Sequence, residues 1–168
     1  MKTLSLAVLA VAIPLTTHAD PLPKQVEALE PLVGTFKGTG TMTAGKDKAK
    51  VDFTMACKRT SARFGVQCTF HVTGVPGLAA CEESDLFGYE PNSDTYHWYA
   101  ITNAGETHDH VAKSFGDKVQ WTYTGTQDGK PMKEVVDMDL GKDKSISFRS
   151  ETFVAGASVA VLEGKARK

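Results

Sequence analysis

The sequence predicts an all-β protein: an antiparallel, up-and-down β-barrel of about ten strands behind one short helix. Three observations lead there. Beyond Gly34 the apolar residues alternate with period two, as they do in strands with one buried face. Turn-forming groups recur at AGKD (44–47), RFG (63–65), VPG (75–77), PNSD (91–94), NAG (103–105), FGD (115–117), DGK (128–130), GKD (141–143) and AGA (155–157), and they cut the chain into short strands at even spacing. Consecutive short hairpins make a meander, which removes its exposed edges most simply by closing on itself.

The chain divides into a leader at 1–19, a short helical segment at 20–34 and the barrel at 35–168. In MKTLSLAVLAVAIPLTTHAD a basic Lys2 precedes an apolar run from Leu4 to Leu15 and a small-x-small end at Thr17-His18-Ala19, the pattern of a signal peptide cut near Ala19. The run is far short of the roughly 20 residues that span a bilayer, so no membrane insertion is expected. No Cys follows the cut, which argues against a lipid anchor. The leader fits bacterial export to the periplasm or beyond. Its removal takes away Lys2 and no acidic residue, leaving 18 basic against 20 acidic side chains, a balance with no long-range pull on nucleic acid.

In PLPKQVEALEPLVG, Val26, Leu29 and Val33 stand at helical spacing, Pro31 limits the helix to about two turns, and Gly34 stops it. The next well-determined piece is VDFTMACKRTSARFGVQCTFHV. Val51, Phe53, Met55 and Cys57 share one face, and Val66, Cys68, Phe70 and Val72 share the other strand's apolar face. A tight turn at Ala62-Arg63 sets Phe53 opposite Val72, Met55 opposite Phe70 and Cys57 opposite Cys68. A one-residue slip would expose the whole set, so the register is fixed. In an oxidising compartment the facing pair predicts a Cys57–Cys68 disulfide. Cys81 is left as an odd thiol with no base beside it in sequence, read as a free cysteine, with exchange onto Cys68 through the VPG turn left open.

The strand at YHWYAI and the one at THDHVA carry three of the five histidines. His97 shares a face with Tyr99 and Ile101, and His108 with His110 and Ala112. A two-residue turn at Ala104-Gly105 would bring His97, His108 and His110 onto one face; a three-residue loop at 103–105 would slip the pairing so that His110 meets Trp98. The expectation is solvent-facing histidines. A metal site at His97, His108 and His110 is the alternative, and a single-His haem site a further one. His71 should point outward.

Catalytic signatures are missing: there is no G-x-S-x-G elbow, H-E-x-x-H helix or Gly-rich phosphate loop. Glu82 and Glu83 point to opposite faces of a strand and, with Asp85, read as a solvated rim. The sequence thus implies no enzyme, no catalytic residues and no cofactor. Tyr96, Trp98, Trp121, Tyr123, Phe148 and Phe153 are the aromatic residues available for core or for lining a cavity. Val119, Trp121 and Tyr123 form an apolar face that should point inward, and a small apolar molecule in the barrel is the expected partner.

The Gly-Thr-Phe start (34–36), the C-x10-C hairpin, the segment LFGYEPNSDTYHWYAITNAG and the closing VLEGKARK resemble a family of exported bacterial domains of unknown function with a calycin, lipocalin-like barrel. The resemblance runs from Leu29 to Lys168. It implies a closed barrel, a lipophilic ligand in the interior, and a basic residue near the C-terminus laid over an aromatic on the first strand. Here Phe36 stands where the family usually has Trp, with Lys165 or Arg167 to cover it.

Overall fold

A computed structural model describes residues 21–168, so the predicted leader lies outside the described residues. The chain forms a helical turn, α1 (Lys24–Glu27), a 3-10 turn (Glu30–Leu32) and ten strands: β1 (Gly34–Ala44), β2 (Asp47–Arg59), β3 (Gly65–Thr73), β4 (Cys81–Glu90), β5 (Thr95–Thr102), β6 (Thr107–Ala112), β7 (Lys118–Gln127), β8 (Lys130–Leu140), β9 (Ser145–Val154) and β10 (Ala157–Arg167). Each strand pairs antiparallel with its neighbour in sequence, and β1 pairs with β10, so the barrel is closed. Every predicted turn group falls at or on the edge of a connection between successive strands. Positive φ at Arg63, Asp94, Asp128 and Ala155 marks where four of these hairpins reverse.

One end of the barrel is plugged. Pro31 turns the second helical segment into a 3-10 turn, so Leu32 joins Val26 and Leu29 as fully buried, and Val33 packs only partly. Arg59 clamps this plug: its guanidinium donates to Glu30 Oε2 at 2.7 and 2.9 Å and to the Val26 carbonyl at 3.0 Å. The expected cation over Phe36 is Lys168, with its Nζ 5.1 Å from the ring centre. Lys165 and Arg167 do not take that place; Lys165 pairs with Thr39 and Arg167 with Lys37 farther along the strand edge.

Inward positions alternate along the strands, with a register shift in β10 between Ser158 and Ala160. Phe53, Phe70 and Phe148 meet from β2, β3 and β9 with centroids 5.2–6.2 Å apart. Gly164 faces this cluster, and a Cβ there would come within 2.6 Å of the Phe53 ring, so β10 lies flat on an aromatic edge only because it carries glycine. On the other side Phe87, Trp98, Phe115 and Trp121 interlock.

The β2–β3 register is as predicted: Phe53 faces Val72, Met55 faces Phe70, and Cys57 faces Cys68. The two cysteines are bonded. Cys81 is free and pairs with Val72, while Cys68 pairs with Asp85, so Cys81 sits four strand positions from the bond and exchange with it is not set up by the fold. Because the bond closes a loop of separation 11, replacing both cysteines by serine should lower unfolding free energy by about 2–3 kcal/mol. Urea denaturation followed by far-UV circular dichroism reads this; an unchanged midpoint would show that the unfolded chain gains nothing from the link.

Candidate functional site: a two-sided cavity in the barrel

The barrel holds a cavity of about 510 Å³. Its floor is Phe36, Ile146 and Ala166 above the plugged end, and its mouth lies among Leu78, Asn103, Gln127 and Val159 at the opposite hairpins. The two walls differ. Met42, Phe53, Met55, Phe70, Phe148 and Leu162 make one wall apolar, whereas Glu83, Asp85, His108, His110 and Glu134 stand on the other.

The polar wall arises from strand parity. On β4, Glu83 and Asp85 share the inner face with Phe87; on β6, His108 and His110 share it with Ala112; on β8, Glu134 lies between the inward Met132 and Val136. His110 and Asp85 are buried, at 2% and 4% exposure. His110 Nε2 faces Glu134 Oε2 at 3.0 Å, and His108 Nδ1 approaches the same oxygen at 3.5 Å. The other carboxylate oxygen accepts from Ser150 Oγ at 2.6 Å. Trp98 stacks on His110 at 4.5 Å and Tyr123 on His108 at 4.2 Å, so both imidazoles are held flat against aromatic faces. Trp98 also donates its indole N–H to Asp85 Oδ1 at 2.8 Å.

The electrostatics are those of acids crowded in a poorly solvated space. Burial, followed by the nearby charges of Asp85 and Glu134, pushes the Glu83 carboxyl up to about 8. Burial raises Asp85 to about 6 against the opposing hydrogen bond from Trp98. Burial also acts upward on Glu134, but the hydrogen bonds from His108, His110 and Ser150 outweigh it and hold that carboxyl well below its ordinary range. The bond to Glu134 raises His108 despite desolvation. Cys81, on the same wall, is pushed up to about 11 by burial and by Glu83, and is an unreactive thiol near neutral pH.

Several expectations are corrected. The β5–β6 pairing sets Trp98 opposite His110 and Ala100 opposite His108, the slipped register of the longer loop. His108 and His110 therefore point into the barrel rather than to solvent. His97 is on the outside, where its Nδ1 meets Asp109 at 2.9 Å, so the three histidines do not share a face. Glu83 and Asp85 are not a solvated rim. Glu82 does point outward, to His71 at 3.1 Å. Among the aromatic residues proposed for ligand contact, Trp98 and Phe148 line the cavity. Tyr96 packs below it on Tyr89 and Phe115, Trp121 is fully buried behind Trp98, and Tyr123 backs His108; Phe153 is on the outer parity of β9. Glu134 was missed altogether. The available signal was a lone acid at an inward position of the run Met132, Glu134, Val136, Met138, Leu140.

No protein-family model matches the chain, and no curated protein matches it. Among solved structures it is similar to the crystal structure of Rv2717c from M. tuberculosis, with a TM-score of 0.68 and 14% identity over 88% of this chain and 99% of that one. At that identity the likeness is one of fold: the two chains share a barrel.

Proposed function

We propose that this chain is an exported, lipocalin-like barrel that acts by binding, taking up one small, partly apolar molecule in its interior. The observation that carries the reading is the cavity of about 510 Å³ with an apolar wall facing a hydrogen-bonding one, a size and lining typical of small-molecule sites. The aromatic and methionine wall would take the apolar body, and the His and carboxylate wall a polar head. The same volume counts against a filled barrel serving only as a structural module. The Cys57–Cys68 bond supports export, because such bonds persist in oxidising compartments. The near-neutral charge gives no support to a nucleic-acid partner.

Removing roughly 300 Å² of apolar ligand surface from water is worth about 7 kcal/mol before the cost of immobilisation, short of the about 8 kcal/mol net of micromolar binding, so apolar burial alone supports weaker, saturable binding and the polar wall supplies the rest for a ligand with a polar head. A neutral naphthylamine dye should thus bind once per chain and quench Trp98. Ala160→Trp, which places an indole on the cavity wall, should weaken dye binding at least tenfold. Absence of saturable binding, or equal binding by the Ala160→Trp variant, would give the structural-module reading first place.

A further inference from the structure

We propose that His108, His110 and Glu134 form a mononuclear site for a divalent transition metal of the zinc class, open on one side to the cavity. The three residues offer donor atoms that all lie within 4.8 Å of one another. Around a tetrahedral ion with bonds of about 2.0–2.1 Å, neighbouring ligand atoms sit about 3.3 Å apart. The His110–Glu134 and His108–Glu134 separations of 3.0 and 3.5 Å bracket that value. Both imidazoles approach the same oxygen, Glu134 Oε2, so a single point is near all three donors.

Strand geometry makes the set. A His-x-His pair on β6 puts two rings on one face. Glu134 comes from β8, with only Tyr123 of β7 between, and β7 pairs Tyr123 directly with Glu134. The surroundings are those that orient metal ligands: Ser150 fixes the carboxylate through its other oxygen, and Trp98 and Tyr123 fix the ring planes. Two imidazoles with one carboxylate suit zinc and its neighbours rather than magnesium or calcium, which prefer all-oxygen shells. Charge agrees: with both imidazoles bound as neutral ligands, a dication meets the negative charge of Glu134 and of Asp85 on the same wall. With three protein ligands, the fourth position faces the cavity, the arrangement of sites that hold an exchangeable ligand.

The test is calorimetric titration of the chelator-stripped protein with Zn²⁺ alone, repeated with Co²⁺ to read coordination from its visible absorption. One ion per chain is expected. His108→Ala and Glu134→Gln should each weaken binding more than 100-fold, and Ser150→Ala by the 10–100-fold usual for an outer partner. His97→Ala and His71→Ala, on the outer face, should leave it unchanged. Far-UV circular dichroism checks that each variant is folded; if Glu134→Gln is not, His108→Asn, at a residue partly open to the mouth, carries the test. No saturable Zn²⁺ binding, or binding that survives loss of His108 or of Glu134, overturns the site, as does binding lost with His97 or His71. The dye titration run in chelator reads the cavity alone, so failure of either proposal is separable from failure of the other.

Discussion

Trp121→Ala is expected to lower the unfolding free energy by about 3–5 kcal/mol, the cost of emptying a large, fully enclosed aromatic site. Trp121 has no exposed surface, and its ring meets Phe87, Trp98 and Phe115 edge-on at 5.7–6.0 Å. Its indole N–H is buried with no hydrogen-bond partner among the described residues. That donor carries an unmet desolvation cost of about 1–3 kcal/mol. Trp121→Phe removes it while keeping an aromatic ring, so the lost volume and the removed polar group offset, and the variant should fall within about 1 kcal/mol of the parent. Urea denaturation by circular dichroism measures both, since the substitution removes a fluorophore. A cost below about 1 kcal/mol for the alanine variant would mean that the neighbouring rings collapse into the space, and that this cluster is not the rigid backing of Trp98 described above.

The legibility of this fold in its sequence was uneven, and the unevenness has physical causes. The β2–β3 hairpin could be registered residue by residue because one face of each strand is apolar without exception and the other polar, so a slip has a large penalty. The β5–β6 hairpin could not. Both faces of β5 carry aromatics, Tyr96 and Trp98 inward against Tyr99 outward, so the pattern tolerates either pairing and the loop length decided it. Parity also identified Trp121 as inward without revealing its depth. Height along a closed barrel depends on strand stagger, which neighbouring residues in sequence do not encode.

The charged wall was misread for a different reason. Acids and histidines are ordinarily outside, and that prior assigned Glu83, Asp85, His108 and His110 to solvent although their parity matched Phe87 and Ala112. A barrel that encloses a cavity does not need a wholly apolar interior. Ionisable residues at inward positions on three separate strands are therefore a sequence-readable mark of a cavity rather than a failure of patterning.

That wall sets the direction in which stability depends on pH. Glu83 has an ordinary carboxyl value of 4.5 in the unfolded chain and about 8 in the folded one, because burial and then Asp85 and Glu134 disfavour its charge. Between those limits the folded state keeps a proton that the unfolded state releases, so its contribution is full below the lower value and is lost as pH rises through the upper. Asp85, raised from 3.8 to about 6, acts in the same direction over a lower window, and His108, raised by its bond to Glu134, also loses stability on the alkaline side. On this wall Glu134 acts oppositely, losing its contribution below the ordinary carboxylate range, as do Asp143 and Glu151 elsewhere. The metal-free protein, held in chelator, should thus be most stable near about pH 5 and lose on the order of 3 kcal/mol by about pH 8, mostly through Glu83. Glu83→Gln keeps the shape without the charge, and so should flatten the profile and be more stable than the parent at the alkaline end. Thermal unfolding across that range distinguishes the cases: a parent whose midpoint is level from pH 5 to 8, or a glutamine variant weaker than the parent at pH 8, would mean that water reaches Glu83 freely and that the wall is solvated after all.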